Sequence, residues 1–190
     1  MSVEETMYNP ELPDGLSYSE GLTEKQIDQL VQFSNDPKDE AIKSNTSDPE
    51  RFKDKEAVEN WLQKRRSIYT LTNDQGDLLG MSWLGAGAMP QGEFTEDFGS
   101  SKYGVTFAIR LYGEARGSGK GLSRQLTKHA IGQYKQTTEY QGLTDKGQDG
   151  IWLEVSQSNG PGVALYEKSG FTPVTNPNEK GKMFMILPRN

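Results

Sequence analysis

The spacing of apolar residues divides the chain into strands and helices in a definite order. Ile27, Leu30 and Val31 recur at helical spacing behind Thr23-Glu24-Lys25-Gln26, a capping box, and this first helix is predicted to stop near Ser34, ahead of Pro37. Phe52, Val58, Trp61 and Leu62 fit a second helix running to about Arg66, with Asp48 and Pro49 as its cap and first residue. Residues 67–72 and 78–85 read as the two strands of a hairpin, turning through Asn73-Asp74-Gln75-Gly76-Asp77. Val105–Leu111 is a further β-rich run, and Leu122, Leu126 and Ala130 then share one face of a helix expected over 119–135. Ile151 begins another strand, and residues 171–175 and 182–187 close the chain as a strand pair around Asn176-Pro177-Asn178. Leu16 to Ser19 fits a short first strand, residues 1–14 a loose arm, and residues 137–150 a polar linker. With the helix discussed below, the order is β-α-α-β-β-β-α-β-α-β-β. Such an order predicts an α/β chain: one mixed sheet with helices on both faces, in a single domain over residues 15–190.

One stretch between elements is richer in glycine than a plain connection needs. Arg116-Gly117-Ser118-Gly119-Lys120-Gly121 lies between a strand and a helix, where bare amides and a helix N-terminus together favour phosphate. Two nucleotide-binding patterns fail here. A P-loop needs glycine where Glu114 stands and Ser or Thr where Gly121 stands, and the dinucleotide fingerprint needs a third glycine where Leu122 stands. What remains is R-x-x-G-x-G, from Arg116 to Gly121. On this segment alone, a flexible connection is the competing reading. About thirty residues further on, a strand leads to Asn159 and then to a short helix ending Leu165-Tyr166-Glu167-Lys168-Ser169-Gly170-Phe171, with Asn159 and Tyr166 seven residues apart.

The two motifs, in this order, resemble those of the GNAT superfamily of N-acetyltransferases. The resemblance is firm over residues 103–172 and looser elsewhere. It implies the GNAT fold, with a mostly antiparallel sheet of six to seven strands, and acetyl-CoA as co-substrate without a metal. It further implies that the pyrophosphate lies on the amides of Gly117, Ser118, Gly119, Lys120, Gly121 and Leu122. Arg116 either assists with its guanidinium or is a surface arginine. The pantetheine arm would pair with the backbone of Ile109 and Leu111, whose side chains are expected to be ordinary core, and an amide near Ile109 would face the thioester carbonyl. Asn159 would bond the cofactor arm, or else make a strand-end Asx turn. Tyr166 is the expected general acid, against the commoner fate of a packed helix aromatic.

The general base is less marked. Many members of the superfamily carry a glutamate early in the fourth strand, but this chain has Ser101-Lys102-Tyr103-Gly104-Val105 there. Glu154, in the fifth strand, and Glu93, Glu96 and Asp97, in the long loop over 85–102, are the carboxylates at hand. The loop acids could instead attract a cationic substrate.

Composition narrows the classes. Net charge is −6 with a pI near 5.0, which disfavours a nucleic-acid backbone as partner. No cysteine is present, so neither a disulfide nor a thioester acyl-enzyme is available, and direct attack in a ternary complex is the consistent route. The one histidine, His129, cannot build a metal cluster and reads as structural or surface. Without a signal peptide or an apolar run of spanning length, a soluble cytoplasmic protein is expected, with no membrane partner. The acceptor is expected to be a small-molecule or peptide primary amine, its charge tilted toward cationic by residues 93–97; a homodimer is compatible. A non-catalytic acyl-CoA-binding or sensing module is the alternative, and a nucleotide-binding protein the least favoured.

Overall fold

The computed structural model describes residues 12–39, 45–46, 48–90, 94 and 97–189. Seven strands form one sheet in the order β1-β2-β3-β4-β5-β7-β6. They are β1 (Leu16–Glu20), β2 (Ser67–Asn73), β3 (Leu78–Ala86), β4 (Val105–Leu111), β5 (Ile151–Ser156), β6 (Thr172–Pro173) and β7 (Lys182–Leu187). All neighbouring pairs are antiparallel except β4 with β5. Among the described residues five α-helices with full bounds flank the sheet: α1 (Glu24–Asn35), α2 (Lys55–Leu62), α3 (Leu122–Tyr134), α4 (Thr138–Asp145) and α5 (Gly160–Lys168). This is the mixed, mostly antiparallel architecture expected.

Strand alternation sends side chains to two cores. On one face Tyr69, Leu71, Leu84 and Phe107 meet Leu126, Ala130 and Tyr134 of α3 and Tyr166 of α5. On the other, Ile68, Met81 and Trp83 meet Leu30 of α1 and Val58 and Trp61 of α2. A smaller cluster of Met89, Tyr103, Trp152 and Ile186 covers the sheet beyond β5.

Several boundaries differ from the sequence pattern, each for a physical reason. The helix α1 begins as expected: Thr23 Oγ1 accepts from Gln26 N–H at 3.3 Å, and Gln26 Oε1 accepts from Thr23 N–H at 3.0 Å. Helix α2 starts later than Asp48, because Asp54 caps it by accepting from Ala57 N–H at 2.8 Å. Phe52 therefore lies ahead of the helix, buried edge-on against Trp61. Helix α3 starts at Leu122 rather than 119, because Gly119 (φ 73°) and Gly121 (φ 69°) are left-handed and cannot enter a right-handed helix. The stretch 137–150 holds α4 rather than a linker. Its cap, Thr137, accepts from Tyr140 N–H at 3.2 Å, but no fully buried residue gives the helix an apolar stripe. Strand β6 is only two residues long and lies at the sheet edge, where Pro173 is tolerated, and Val174 N–H still donates to Phe184 O at 3.0 Å.

His129 is structural. Its ring stacks on Tyr18 of β1 with centroids 3.8 Å apart and planes 10° from parallel, tying α3 to the edge of the sheet. Burial lowers its pKa from the ordinary histidine value, outweighing the opposing pull of Glu20. A depressed histidine stabilises the fold above its unfolded pKa and loses that contribution as pH falls through the folded value. His129→Phe, which retains the stack, is therefore expected to lose less melting temperature than the parent between pH 7 and pH 5. Parallel loss in both proteins would contradict this.

Candidate active site

Strands β4 and β5 begin side by side and then separate. Their register contains only Val105 with Ile151 and Thr106 with Trp152, after which the ladder ends. The phase of the backbone follows from two bonds: Val105 N–H donates to Gly150 O at 3.0 Å, and Tyr112 N–H donates to Leu79 O at 2.9 Å. Odd-numbered residues of β4 thus turn their N–H and C=O toward β5, and even-numbered ones toward β3. Beyond the last pair, Ile109 and Leu111 present their backbone to the gap. That gap is an open edge inside a sheet, able to accept an extended ligand as an added strand. Their side chains are only half-buried and line the opening, so they are less purely core than the sequence pattern implies.

The gap widens into a cavity of about 500 Å³. Ile109, Leu111, Arg116, Gly117, Glu154, Asn159 and Tyr166 all line it. A second hollow of about 510 Å³ continues from it along Gly117, Ser118, Gly119, Gly121 and Leu122. Lys120 belongs to the same loop and is exposed.

The loop is built for an anion. Gly117, Gly119 and Gly121 have φ of 72°, 73° and 69°, while Ser118 and Lys120 between them keep negative φ. Such alternation turns successive N–H groups toward one concavity. A Cβ on any of the three glycines would meet nothing within 4 Å, so backbone conformation rather than crowding calls for glycine. Gly121 caps α3 without a side-chain bond to the first turn, which leaves those amides for a ligand. The cradle and the open strand edge together suit the diphosphate and extended arm of a CoA thioester.

The other motif positions Tyr166. Asn159 caps α5, its Oδ1 accepting from Gly162 N–H at 3.2 Å; a Cβ at residue 162 would run into the Asn159 carboxamide. The Asx interaction is therefore present, and the Nδ2 group is what remains to donate to a ligand. At the other end, Gly170 (φ 93°) stops the helix, and Phe171 turns back into the core beside Tyr166 with centroids 5.9 Å apart. Phe107 of β4 meets the same ring edge-on at 6.2 Å. These contacts fix the ring, while among the described residues none bonds its hydroxyl, which belongs to a cavity-lining side chain. Burial pushes the phenol pKa up to about 12, so it holds its proton throughout the neutral range.

Glu154 is exposed and reaches the cavity from β5, on the face opposite Leu153 and Val155. Asp97 is placed elsewhere, beside Phe94, Phe98 and Ser100, with its Oδ1 accepting from Gly99 N–H. Glu93 and Glu96 lie outside the described residues. Among the described residues no three His, Cys, Asp or Glu side chains are grouped to hold a metal, and no helix is long and apolar enough to cross a membrane.

Two cavity residues escaped the sequence reading. Arg110 of β4 and Arg51, ahead of α2, both lie over the indole of Trp83, their guanidinium carbons 5.8 and 5.7 Å from a ring centroid. The alternation of β4 puts Thr106, Ala108 and Arg110 on one face, and an arginine there beside small residues was the available signal.

No family model and no curated protein sequence matches this chain. Solved structures do. One is a Salmonella typhimurium protein holding its cofactor acetyl-CoA (15% identity, 93% of this chain and 95% of that one, TM-score 0.63). Another is AAC(6')-Ib in complex with ribostamycin and coenzyme A (19%, 93% and 94%, 0.60). A third is spermidine N-acetyltransferase from Vibrio cholerae with CoA and spermine (17%, 92% and 97%, 0.60). A GCN5-related N-acetyltransferase from Kribbella flavida also matches, at TM-score 0.59. Seven strands, one parallel pair that splays, and a glycine loop at the head of α3 give this chain the fold of the GNAT superfamily, whose motifs its sequence resembles.

Proposed function

We propose that the protein is an N-acetyltransferase that moves the acetyl group of acetyl-CoA to a primary amine by direct attack in a ternary complex. The observation that carries this reading is the convergence of an anion-binding loop, an unpaired strand edge and a buried phenol on one continuous cleft. The neighbours' bound ligands, acetyl-CoA or CoA with spermine or an aminoglycoside, support it at the level of reaction class.

The thioester supplies an activated acyl carbon, and the chain does the rest. Amides of Gly117 through Leu122, with Arg116 at the cavity mouth, hold the diphosphate. The backbone of Ile109 and Leu111 pairs with the extended arm, and Asn159 Nδ2 donates to it. The N–H of Ile109 stabilises negative charge on the carbonyl oxygen as the amine adds. An alkylammonium with a pKa of about 10.4 must first lose a proton, and Glu154 accepts it through water. As the C–N bond forms and the C–S bond breaks, Tyr166 gives its proton to the departing thiolate; the second amine proton leaves through the same water path, and the phenol is reprotonated from solvent. The absence of cysteine removes the acyl-enzyme alternative. Calorimetric titration with acetyl-CoA, coupled to thiol release in the presence of amines, tests the reading.

A further inference from the structure

The charge on the acceptor side of the cavity is opposite to that of the whole chain. Net charge is −6, yet Arg51 and Arg110 both reach the cavity over Trp83. Arg110 also lies over Phe52 at 4.9 Å and donates through Nη2 to Thr46 Oγ1 at 2.7 Å. Arg51 makes a 3.6 Å ion pair through Nε with Asp48, its side chain being 18% exposed. Burial above all, and then the like charges of Arg110 and Arg66, oppose the charged state of Arg51, against the favourable pull of Asp48. Asp48 favours the charged state of Arg51, and among the described residues Glu154 is the acid that lines the cavity. Two guanidinium groups thus stand in one partly desolvated wall.

Holding two guanidinium groups together is unfavourable unless an anion joins them. Stacking on Trp83 and Phe52 orients the groups but neutralises neither. Their location excludes the diphosphate as that anion. The glycine loop heads α3 on one face of the sheet, whereas Arg51, Arg110 and Trp83 lie on the face covered by α1 and α2. Among the described residues each guanidinium has one nitrogen engaged, by Asp48 or by Thr46, and its remaining N–H groups match the two oxygens of a carboxylate.

We propose that the acceptor is an amine carrying a carboxylate, of the α-amino acid type, with its carboxylate held between Arg51 and Arg110. The inference rests on the transferase reading above and narrows its acceptor. Arg51 and Arg110 hold the acid group so that the amine end faces the thioester and Glu154. The chemistry is unchanged: a C–N bond replaces the C–S bond, the two protons lost by the ammonium nitrogen leave through Glu154 and water, and the thiolate takes the proton of Tyr166, which is reprotonated from solvent. Polyamines and aminoglycosides, which the neighbours hold, lack the carboxylate and would meet a cationic wall.

The test uses the full chain with saturating acetyl-CoA and a panel of free amino acids, the corresponding amino acid carboxamides, phosphoethanolamine, spermidine and ribostamycin. Thiol release is followed for each, and amino acid binding to the CoA-bound protein is measured by calorimetry. The expected result is at least one amino acid with kcat/KM roughly 100-fold above that of its carboxamide, in line with a charge-assisted pair worth two powers of ten. Arg110→Gln and, separately, Arg51→Gln should raise KM for the acid at least roughly tenfold, leaving that for the carboxamide within a factor of about two. Arg110→Lys keeps the charge without the planar fork and should recover part of the loss, which a folding defect would not do. Faster turnover of spermidine, ribostamycin, phosphoethanolamine or the carboxamides would overturn the proposal while leaving the transferase intact. So would acetyl-CoA binding with no amino acid bound or acetylated. Failure to bind acetyl-CoA would overturn the transferase reading itself.

Discussion

Replacing Tyr166 by phenylalanine is expected to lower kcat by two to three powers of ten while changing the affinity for acetyl-CoA by less than about threefold. The asymmetry follows from what the substitution removes. The ring's edge contacts with Phe107 and Phe171 survive, so α5 and the cleft keep their shape. Only the hydroxyl is lost, and with it the proton that the proposed mechanism gives to the departing thiolate; positioned proton transfer contributes roughly 10²–10⁴ in rate. Because burial holds the phenol pKa at about 12, the wild-type rate should show no falling limb from phenol ionisation at pH 9 or 10. Initial rates with both substrates saturating, across pH 6–10, give the result. Turnover equal to wild type would remove Tyr166 from the chemistry and leave it a packing residue.

The second large effect is expected at the loop. Gly119→Asp should weaken acetyl-CoA binding at least 100-fold by calorimetry, and Gly119→Ala by a smaller factor, roughly tenfold. A Cβ at this position has open space around it, so steric collision contributes nothing. What alanine introduces is a left-handed φ that an L-residue adopts at a cost of about 1–2 kcal/mol, partly relieved by flattening the concavity of amides. Aspartate adds a negative charge where the proposed function puts a diphosphate, against the loop and the head of α3, and the two penalties combine. Normal affinity in the aspartate variant would mean that the diphosphate is held elsewhere.

The parts of this site that a reader of the sequence could recover are those encoded locally. The loop glycines are adjacent, and their conformational role follows from residue type. Tyr166 lies in a helix whose stop, Gly170, and return to the core, Phe171, are also local, so its neighbourhood could be anticipated. The open edge of Ile109 and Leu111 was different in kind. It depends on β5 diverging after Trp152, which no periodicity in either strand announces, and it was expected only through family resemblance. Helix α4 was missed because polar residues with a cap but no buried stripe look like a linker. The boundary of α2 was misplaced because Asp48-Pro49 and Asp54 both have cap chemistry, and the choice between them depends on Phe52 packing against Trp61.

The arginine wall was the least legible feature. Arg51 precedes a helix and Arg110 ends a strand, separated by more than fifty residues, and neither belongs to a motif. Their meeting over Trp83 is a product of tertiary structure: the segment before α2 crosses the sheet at the point where β3 and β4 bring Trp83 opposite Ala108. Residues 93–97 direct a reading of the sequence toward a cationic acceptor, whereas the proposed arginine pair favours an acceptor that also carries an acid group. The described member of that group, Asp97, lies beside Phe94 and Phe98 instead of on the cavity wall.

The most direct measurement is a calorimetric titration of the protein with acetyl-CoA, followed in the same sample by thiol release against pooled amines. The account predicts saturable binding at one site per chain, and thiol release in the pool containing the true acceptor, with the acetyl group recovered on nitrogen. Absence of acetyl-CoA binding would contradict it, because the glycine cradle, the open strand edge and Tyr166 would then have no common ligand.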